Sequence, residues 1–233
     1  MSDASQKTLN ESRRLAYLQA MQIDVWRPRD ADDAPADAPA DAVETPLQDW
    51  QSLREAVAGC TRCDLHKSRT QTVFGVGDEA ADWMIIGEAP GMEEDRRGEP
   101  FVGRAGKLLD QMLRAVGLQR NRVFIANVLK CRPPNNRDPS SDEAAACRPY
   151  LERQIELVQP RLILAVGRIA AQRLLETDAP VGRMRGQAHY FGERRIPLVV
   201  TYHPAYLLRS PVQKRKSWQD LCLAQELIQS NES

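Results

Sequence analysis

Leu162-Ile163-Leu164-Ala165-Val166 is an unbroken apolar run that begins after Arg161 and stops at Gly167. Five apolar positions in succession suit a strand covered on both faces, as in a parallel sheet. Three shorter runs repeat the signature: Trp83-Met84-Ile85-Ile86, Val123-Phe124-Ile125-Ala126 and Leu198-Val199-Val200. Helical patterns lie around and between them. Gln48–Ala58 is the first in this body. Lys107–Val116 sets Leu108, Leu109, Met112 and Leu113 on one face, and Ser140 with Glu143 forms a capping box opening a helix to about Val158. Ile169–Leu175 is a shorter helix and Val212–Ile228 the last. This alternation predicts the α/β class: a three-layer α/β/α sandwich around a central, mostly parallel, four-stranded sheet.

The 233 residues fit one ordinary domain plus an appendage. No apolar run approaches the roughly 18–20 residues that span a bilayer, so no membrane partner is expected. Met1–Asn10 is polar, without the apolar core of a signal peptide, and a cytoplasmic location is expected. Lys+Arg and Asp+Glu both count 32, but unevenly: residues 1–50 hold 10 acidic and 5 basic side chains (net −5), leaving 22 acidic and 27 basic in the rest (net +5). The mildly basic body permits a polyanionic partner.

Three segments follow. Residues 1–30 form an N-terminal helical arm, with Leu15, Leu18 and Met21 about a turn apart; it either packs back on the body or docks a partner such as a replication or repair protein. Residues 31–45 contain Ala31–Ala42, an Ala/Asp/Pro repeat with no aromatic or β-branched residue, read as a flexible acidic linker. Residues 46–233 are the folded body, a candidate catalytic domain expected to act as a monomer.

In open α/β sheets, sites gather beyond the carboxyl ends of the strands. The first run leads into Gly87-Glu88-Ala89-Pro90-Gly91, the second into Asn127 and Lys130-Cys131-Arg132-Pro133-Pro134, the fourth into His203-Pro204-Ala205-Tyr206-Leu207-Leu208-Arg209. These exits point to one shared cleft. Neither nucleotide-binding fingerprint fits: Gly106-Lys107 is followed by Leu108 rather than Ser or Thr, and no G-x-G-x-x-G opens a helix after the first strand.

Phe101 is either a loop anchor or a platform for a planar ligand. Asn127 either bonds a turn or uses its amide to read the O4/N3–H edge of a pyrimidine. His203, held extended by the proline after it, is either structural or a donor at the cleft mouth. In Tyr206-Leu207-Leu208-Arg209 the apolar pair beside Arg209 suits a wedge in a base stack with a cation on phosphate; with Lys214, Arg215 and Lys216 following, the alternative is a solvated helix start.

The five cysteines divide four to one. Cys60 and Cys63 form a C-x2-C pair, Cys131 follows the second strand and Cys147 lies in the helix begun at Ser140. One close pair with two remote ligands suits an iron–sulfur cluster or zinc. Cys222, between Leu221 and Leu223, reads as a core residue. An iron–sulfur electron carrier and a zinc-bearing nucleic-acid-binding module therefore stand as rivals to an enzyme.

Taken together, the motifs resemble the family 4 uracil-DNA glycosylases. The likeness runs over residues 50–229: Gly87-Glu88-Ala89-Pro90-Gly91 through Glu94-Asp95 to Pro100-Phe101-Val102-Gly103, then Asn127 to Arg137, then His203 to Arg209. It implies a monofunctional glycosylase that hydrolyses the N-glycosidic bond of uracil in single- or double-stranded DNA, with an abasic site left for base excision repair. Phe101 would stack on the flipped base, Asn127 would read its edge and His203 would donate to O2. Glu88 and Ala89 would bind the base and position water. Because the classical branch has aspartate where this chain has Ala89, Glu88 leads for that role, with Asp95 and Asn136 behind it. Leu207 would be the wedge, flanked by Tyr206 and Arg209. Cys60, Cys63, Cys131 and Cys147 would hold a [4Fe–4S] cluster. The glutamine and basic loop of a related covalent DNA-linking branch are absent from the sequence, and His189 is read as structural.

Overall fold

A computed structural model describes residues 49–230. The arm (1–30) and linker (31–45) lie outside the described residues. The first described helix, α1 (Trp50–Ala58), starts where Asp49 accepts the Ser52 N–H at 2.8 Å and Ser52 answers the Asp49 N–H, a reciprocal cap.

The strands are β1 (Val76–Gly77), β2 (Trp83–Gly87), β3 (Phe124–Asn127), β4 (Leu162–Val166), β5 (Ala188–Phe191) and β6 (Ile196–Thr201). The sheet order is β1-β3-β2-β4-β6-β5. The four apolar runs form its central block, β3-β2-β4-β6, all parallel. Two antiparallel edge strands enlarge the expected four to six. β1 has only two residues, and β5 is half-exposed along its length, so neither carries an apolar run. Within β5, His189 Nε2 lies 2.7 Å from the Met184 carbonyl, a structural contact as expected.

The remaining helices are α2 (Met92–Arg97), α3 (Arg104–Ala115), α4 (Ser141–Val158), α5 (Arg168–Leu175), α6 (Val181–Met184), α7 (Pro204–Arg209) and α8 (Lys214–Ser230). Side chains alternate across the central strands. Met84, Ile86, Phe124, Ala126, Ile163, Ala165, Leu198 and Val200 pack with α1, α4 and α5. Trp83, Ile85, Ile125, Leu162, Leu164, Val166 and Val199 pack with α3, α7 and α8. Two-residue alternation under two helical layers is why these strands read as continuous apolar runs. Among the described residues no helix is long and apolar enough to cross a membrane.

The α4 cap forms as the sequence predicts: Ser140 accepts the Glu143 N–H at 3.2 Å and Glu143 accepts the Ser140 N–H at 2.8 Å. Arg137 adds a two-pronged bond to Glu143, at 2.6 and 2.8 Å. That guanidinium, foremost, holds the Glu143 carboxyl down to about 2.

Candidate active site

The parallel strands deliver their exits to one place. Beyond their ends the ladder continues: Val128 N–H donates to Gly87 O at 2.9 Å and Leu129 N–H to Glu88 O at 3.0 Å. There, Glu88, Ala89, Phe101, Asn127, Asn136, His203 and Arg209 line a single pocket of about 460 Å³. The shared cleft expected from the strand ends is therefore present.

Gly87, at the end of β2, is packed tightly against two of these side chains. A Cβ there would fall 2.4 Å from Asn127 Oδ1 and 2.6 Å from Phe101 Cζ. The aromatic ring and the amide thus meet over a backbone that has no room for a side chain. Asn127 is 3% exposed. Phe101 stacks on His203, ring centroids 5.7 Å apart and planes 29° from parallel.

Phe101 has φ 55°, the left-handed region that an aromatic residue seldom enters. Its neighbours hold it there. Glu94 accepts the Val102 N–H at 3.0 Å and the Gly103 N–H at 3.2 Å, and Arg120 donates to the carbonyls of Pro100 and Phe101. Sequence reading passed over Glu94, Arg120 and Arg137 as functional residues. Only the spacing of Glu94 from the Phe101 loop within one motif hinted at the first.

His203 caps α7. Its Nδ1 accepts the Ala205 N–H at 3.1 Å. An accepting Nδ1 carries no proton, so Nε2 is the donor of the neutral ring. Burial first, then the nearby Arg209 charge, lowers its pKa from 6.5 to about 4, against a smaller opposing effect from Glu94. The pocket therefore has a neutral hydrogen-bond donor at pH 7. Glu88, also on the pocket wall, has its carboxyl raised above the usual 4.5 by burial and by the Asp138 charge, with Arg168 pulling the other way. Arg168 is itself paired to Asp138.

Two expected roles change. Asp95 is 4% exposed and both its carboxylate oxygens accept the Thr70 N–H, at 3.0 and 3.1 Å. It braces a loop and lines no part of the pocket. Leu207 is 1% exposed, packed in the core beside α3 and α8. A side chain so placed would have to leave the core to enter a base stack, whereas its neighbour Leu208 is 38% exposed. Asn136 keeps its place on the pocket wall, its Oδ1 accepting Arg132 Nε at 2.7 Å. Tyr206 faces an adjoining chamber, and Arg209 borders both cavities.

The cysteines lie directly behind. Cys131 and Cys147 are buried with Leu65 and Leu129, and Cys63 and Ala89 pack against them. Ala89 thus belongs to both the pocket wall and the cysteine patch. Cys60 is half-buried and packs against the core on the α1 side. Arg69 donates to Cys131 Sγ at 3.0 Å and to the Ala58 carbonyl at 3.2 Å, linking that sulfur to the α1 end. Burial raises the Cys131 thiol and takes Cys147 up to about 11. Among the described residues no group of three or more His, Cys, Asp or Glu side chains stands in metal-holding geometry. The donor chemistry nonetheless suits a soft metal: several thiols share one buried patch, with an N–H already directed at a sulfur. Cys222 is half-buried in α8 rather than fully in the core, and is absent from this patch.

The fully buried Lys130 spans the two regions, donating to the Asn127 carbonyl at 2.8 Å and to Gln154 Oε1 at 2.6 Å. Gln154 in turn donates to the Phe74 carbonyl at 2.9 Å.

Residues 74–224 match the family model described as "Uracil DNA glycosylase superfamily". A relative from Archaeoglobus fulgidus named type-4 uracil-DNA glycosylase is 45% identical over 171 residues, 71% of this chain and 86% of the relative. A protein of the same name from Thermotoga maritima is 44% identical over 160 residues, 68% of this chain and 82% of the relative. A type-5 uracil-DNA glycosylase of Thermus thermophilus is 34% identical over 134 residues, 51% of this chain and 59% of the relative.

Proposed function

The chain belongs to the uracil-DNA glycosylase superfamily, and from that premise we propose that it removes uracil from DNA by hydrolysing the N-glycosidic bond. The observation that carries this reading is the convergence of Phe101, Asn127 and neutral His203 on one pocket. Reaching that pocket requires the nucleotide to leave the base stack, at a cost of a few kcal/mol that is smallest in a mismatch or a single strand.

Each group has one task. The Phe101 ring covers a face of the base. The Asn127 amide offers acceptor and donor to the O4/N3–H edge of uracil, and cytosine, with an amino group at that position, mismatches it. As the bond from C1′ to N1 breaks, its electron pair goes to uracil and negative charge builds on O2. The Nε2–H of His203 stabilises that charge. A neutral ring makes this donor without needing to be charged in a buried site. Water adds to C1′ and loses a proton, uracil takes one up, and an abasic sugar with an anomeric hydroxyl remains. Glu88 is the leading group to orient that water, with Asn136 second; an ionised Glu88 also favours positive charge on the sugar. Among the described residues no lysine lines the pocket, which accords with hydrolysis rather than attack by an amine.

Cys60, Cys63, Cys131 and Cys147 would hold a [4Fe–4S] cluster. With four protein thiolates such a group supplies cross-linking rather than an open coordination position. Its place in the function is to fix the Ala89 wall and the run from Asn127 to Cys131. Leu208, with Arg209 beside it, replaces Leu207 as the wedge.

Uracil release from single- and double-stranded oligonucleotides tests the reading. Wild type should release uracil and leave the abasic strand uncut. His203→Ala and Asn127→Ala should each lose roughly 100- to 1,000-fold in kcat, the range for removal of one transition-state donor. Release at wild-type rates by both variants would refute the assignment.

A further inference from the structure

We infer that the chamber beside the uracil pocket is a second nucleotide subsite, which takes the base adjacent to the uracil in the same strand. The inference rests on the function proposed above. The chamber has about 480 Å³, close to the volume of the pocket itself, and shares Glu88, His203 and Arg209 with it. Both volumes fall within the roughly 300–1,000 Å³ of small-ligand sites.

Its own walls have the chemistry of a base site. Tyr202 and Tyr206 stand with ring centroids 5.0 Å apart and planes 38° from parallel. Outside the lining itself, Arg185 backs Tyr202, 5.9 Å from its ring centroid, and is fixed by two bonds to buried Asp220, at 2.8 and 3.1 Å. Arg168 forms another edge. An unstacked base recovers lost stacking on aromatic faces and guanidinium planes of this kind.

Chain continuity selects the occupant. A strand with one nucleotide in the first pocket carries its neighbour past the shared wall. Arg209 is exposed on that wall and has no ion-pair partner among the described residues. It stands where the intervening phosphate would pass.

The far wall is formed by Pro180, Val181 and Gly182. A Cβ added to Gly182 meets nothing within 4 Å and Gly182 lines no part of the uracil pocket, so a larger side chain there displaces no neighbour. The experiment uses the full chain and single-stranded trinucleotides with a central deoxyuridine, flanked either by thymidines or by tetrahydrofuran abasic analogues. Wild-type kcat/KM should be about tenfold higher with flanking bases. Gly182→Leu should erase that advantage and leave the abasic-flanked rate unchanged. Equal wild-type rates on the two substrates, or an advantage that survives Gly182→Leu, would overturn the subsite while leaving the glycosylase reading intact. Uracil release from neither substrate would overturn both. A second measurement does not depend on the variant: 2-aminopurine beside non-hydrolysable 2′-fluorodeoxyuridine should lose emission on binding wild type when placed on one side of the uracil. Unchanged emission from both sides, with binding confirmed by anisotropy, would reject the proposal.

Discussion

The strand-end pocket and the cysteine patch grow from the same stretch of chain yet are held together differently. Asn127 faces the pocket and Cys131, four residues on, belongs to the patch. The pocket is closed by contacts within the protein: the Phe101–His203 stack, Glu94 under the loop, and Gly87 beneath ring and amide. The patch gathers buried thiols whose pKa values lie above the ordinary 9.0, a set that deprotonates readily only opposite added positive charge. The difference teaches that packing alone preorganises the pocket, while the thiols behind it are where the proposed bound group would add its support.

The largest effect expected from this contrast is at Cys147. Cys147→Ser should deprive the protein of iron and of its visible absorption, with folded, active material lost together. A soluble, iron-free variant with normal kcat would break the comparison. Gly87→Ala should do the reverse, keeping iron and losing about 100-fold in kcat, because the added methyl displaces Asn127 and Phe101 on the scale of an ångström.

A smaller effect is expected at Glu94→Gln. The amide keeps an oxygen acceptor for Val102 and Gly103 but loses the charge, about 1 kcal/mol or roughly fivefold in kcat/KM. The loss should be absent from iron content. A variant with unaltered kcat/KM would remove Glu94 from the positioning of Phe101.

The mildest signature is in the pH profile. The folded pKa of His203 is depressed, so the neutral donor persists as pH falls through 6.5 and is lost only near 4, where protonation also ends the bond from Ala205 to Nδ1. Glu88 titrates above 4.5 and should contribute the first acid limb of kcat/KM, with activity declining as its carboxylate is protonated. Glu88→Gln should remove that limb and leave the lower one. A limb at 6.5 that vanishes in His203→Gln would show an unshifted imidazole instead.

The sequence was informative wherever a local rule decides the outcome. Continuous apolar runs revealed β2, β3, β4 and β6, and the Ser140/Glu143 pair revealed the start of α4. Asn127 and His203 were legible because unusual residues stood at strand exits, and Phe101 because an aromatic stood in a loop otherwise rich in charge and glycine. β5 was hidden because an edge strand exposed along one side has no apolar run to display. In His203–Arg209, Leu207 and Leu208 are equivalent as residue types, and only the facing of α7 onto the core separates the buried one from the exposed one. Asp95 likewise has a carboxylate suited to catalysis and is occupied by the Thr70 N–H, 25 residues away.

By itself, the sequence determined the alternating strands and helices, the family motifs and the cysteine set, since these depend on residue type and short spacing. Tertiary structure alone decided which acidic groups reach the pocket, which leucine is exposed, and how Glu94 and Arg120 hold an aromatic ring at positive φ. Those outcomes depend on side-chain direction and on partners distant along the chain, and neither is encoded in any single local pattern.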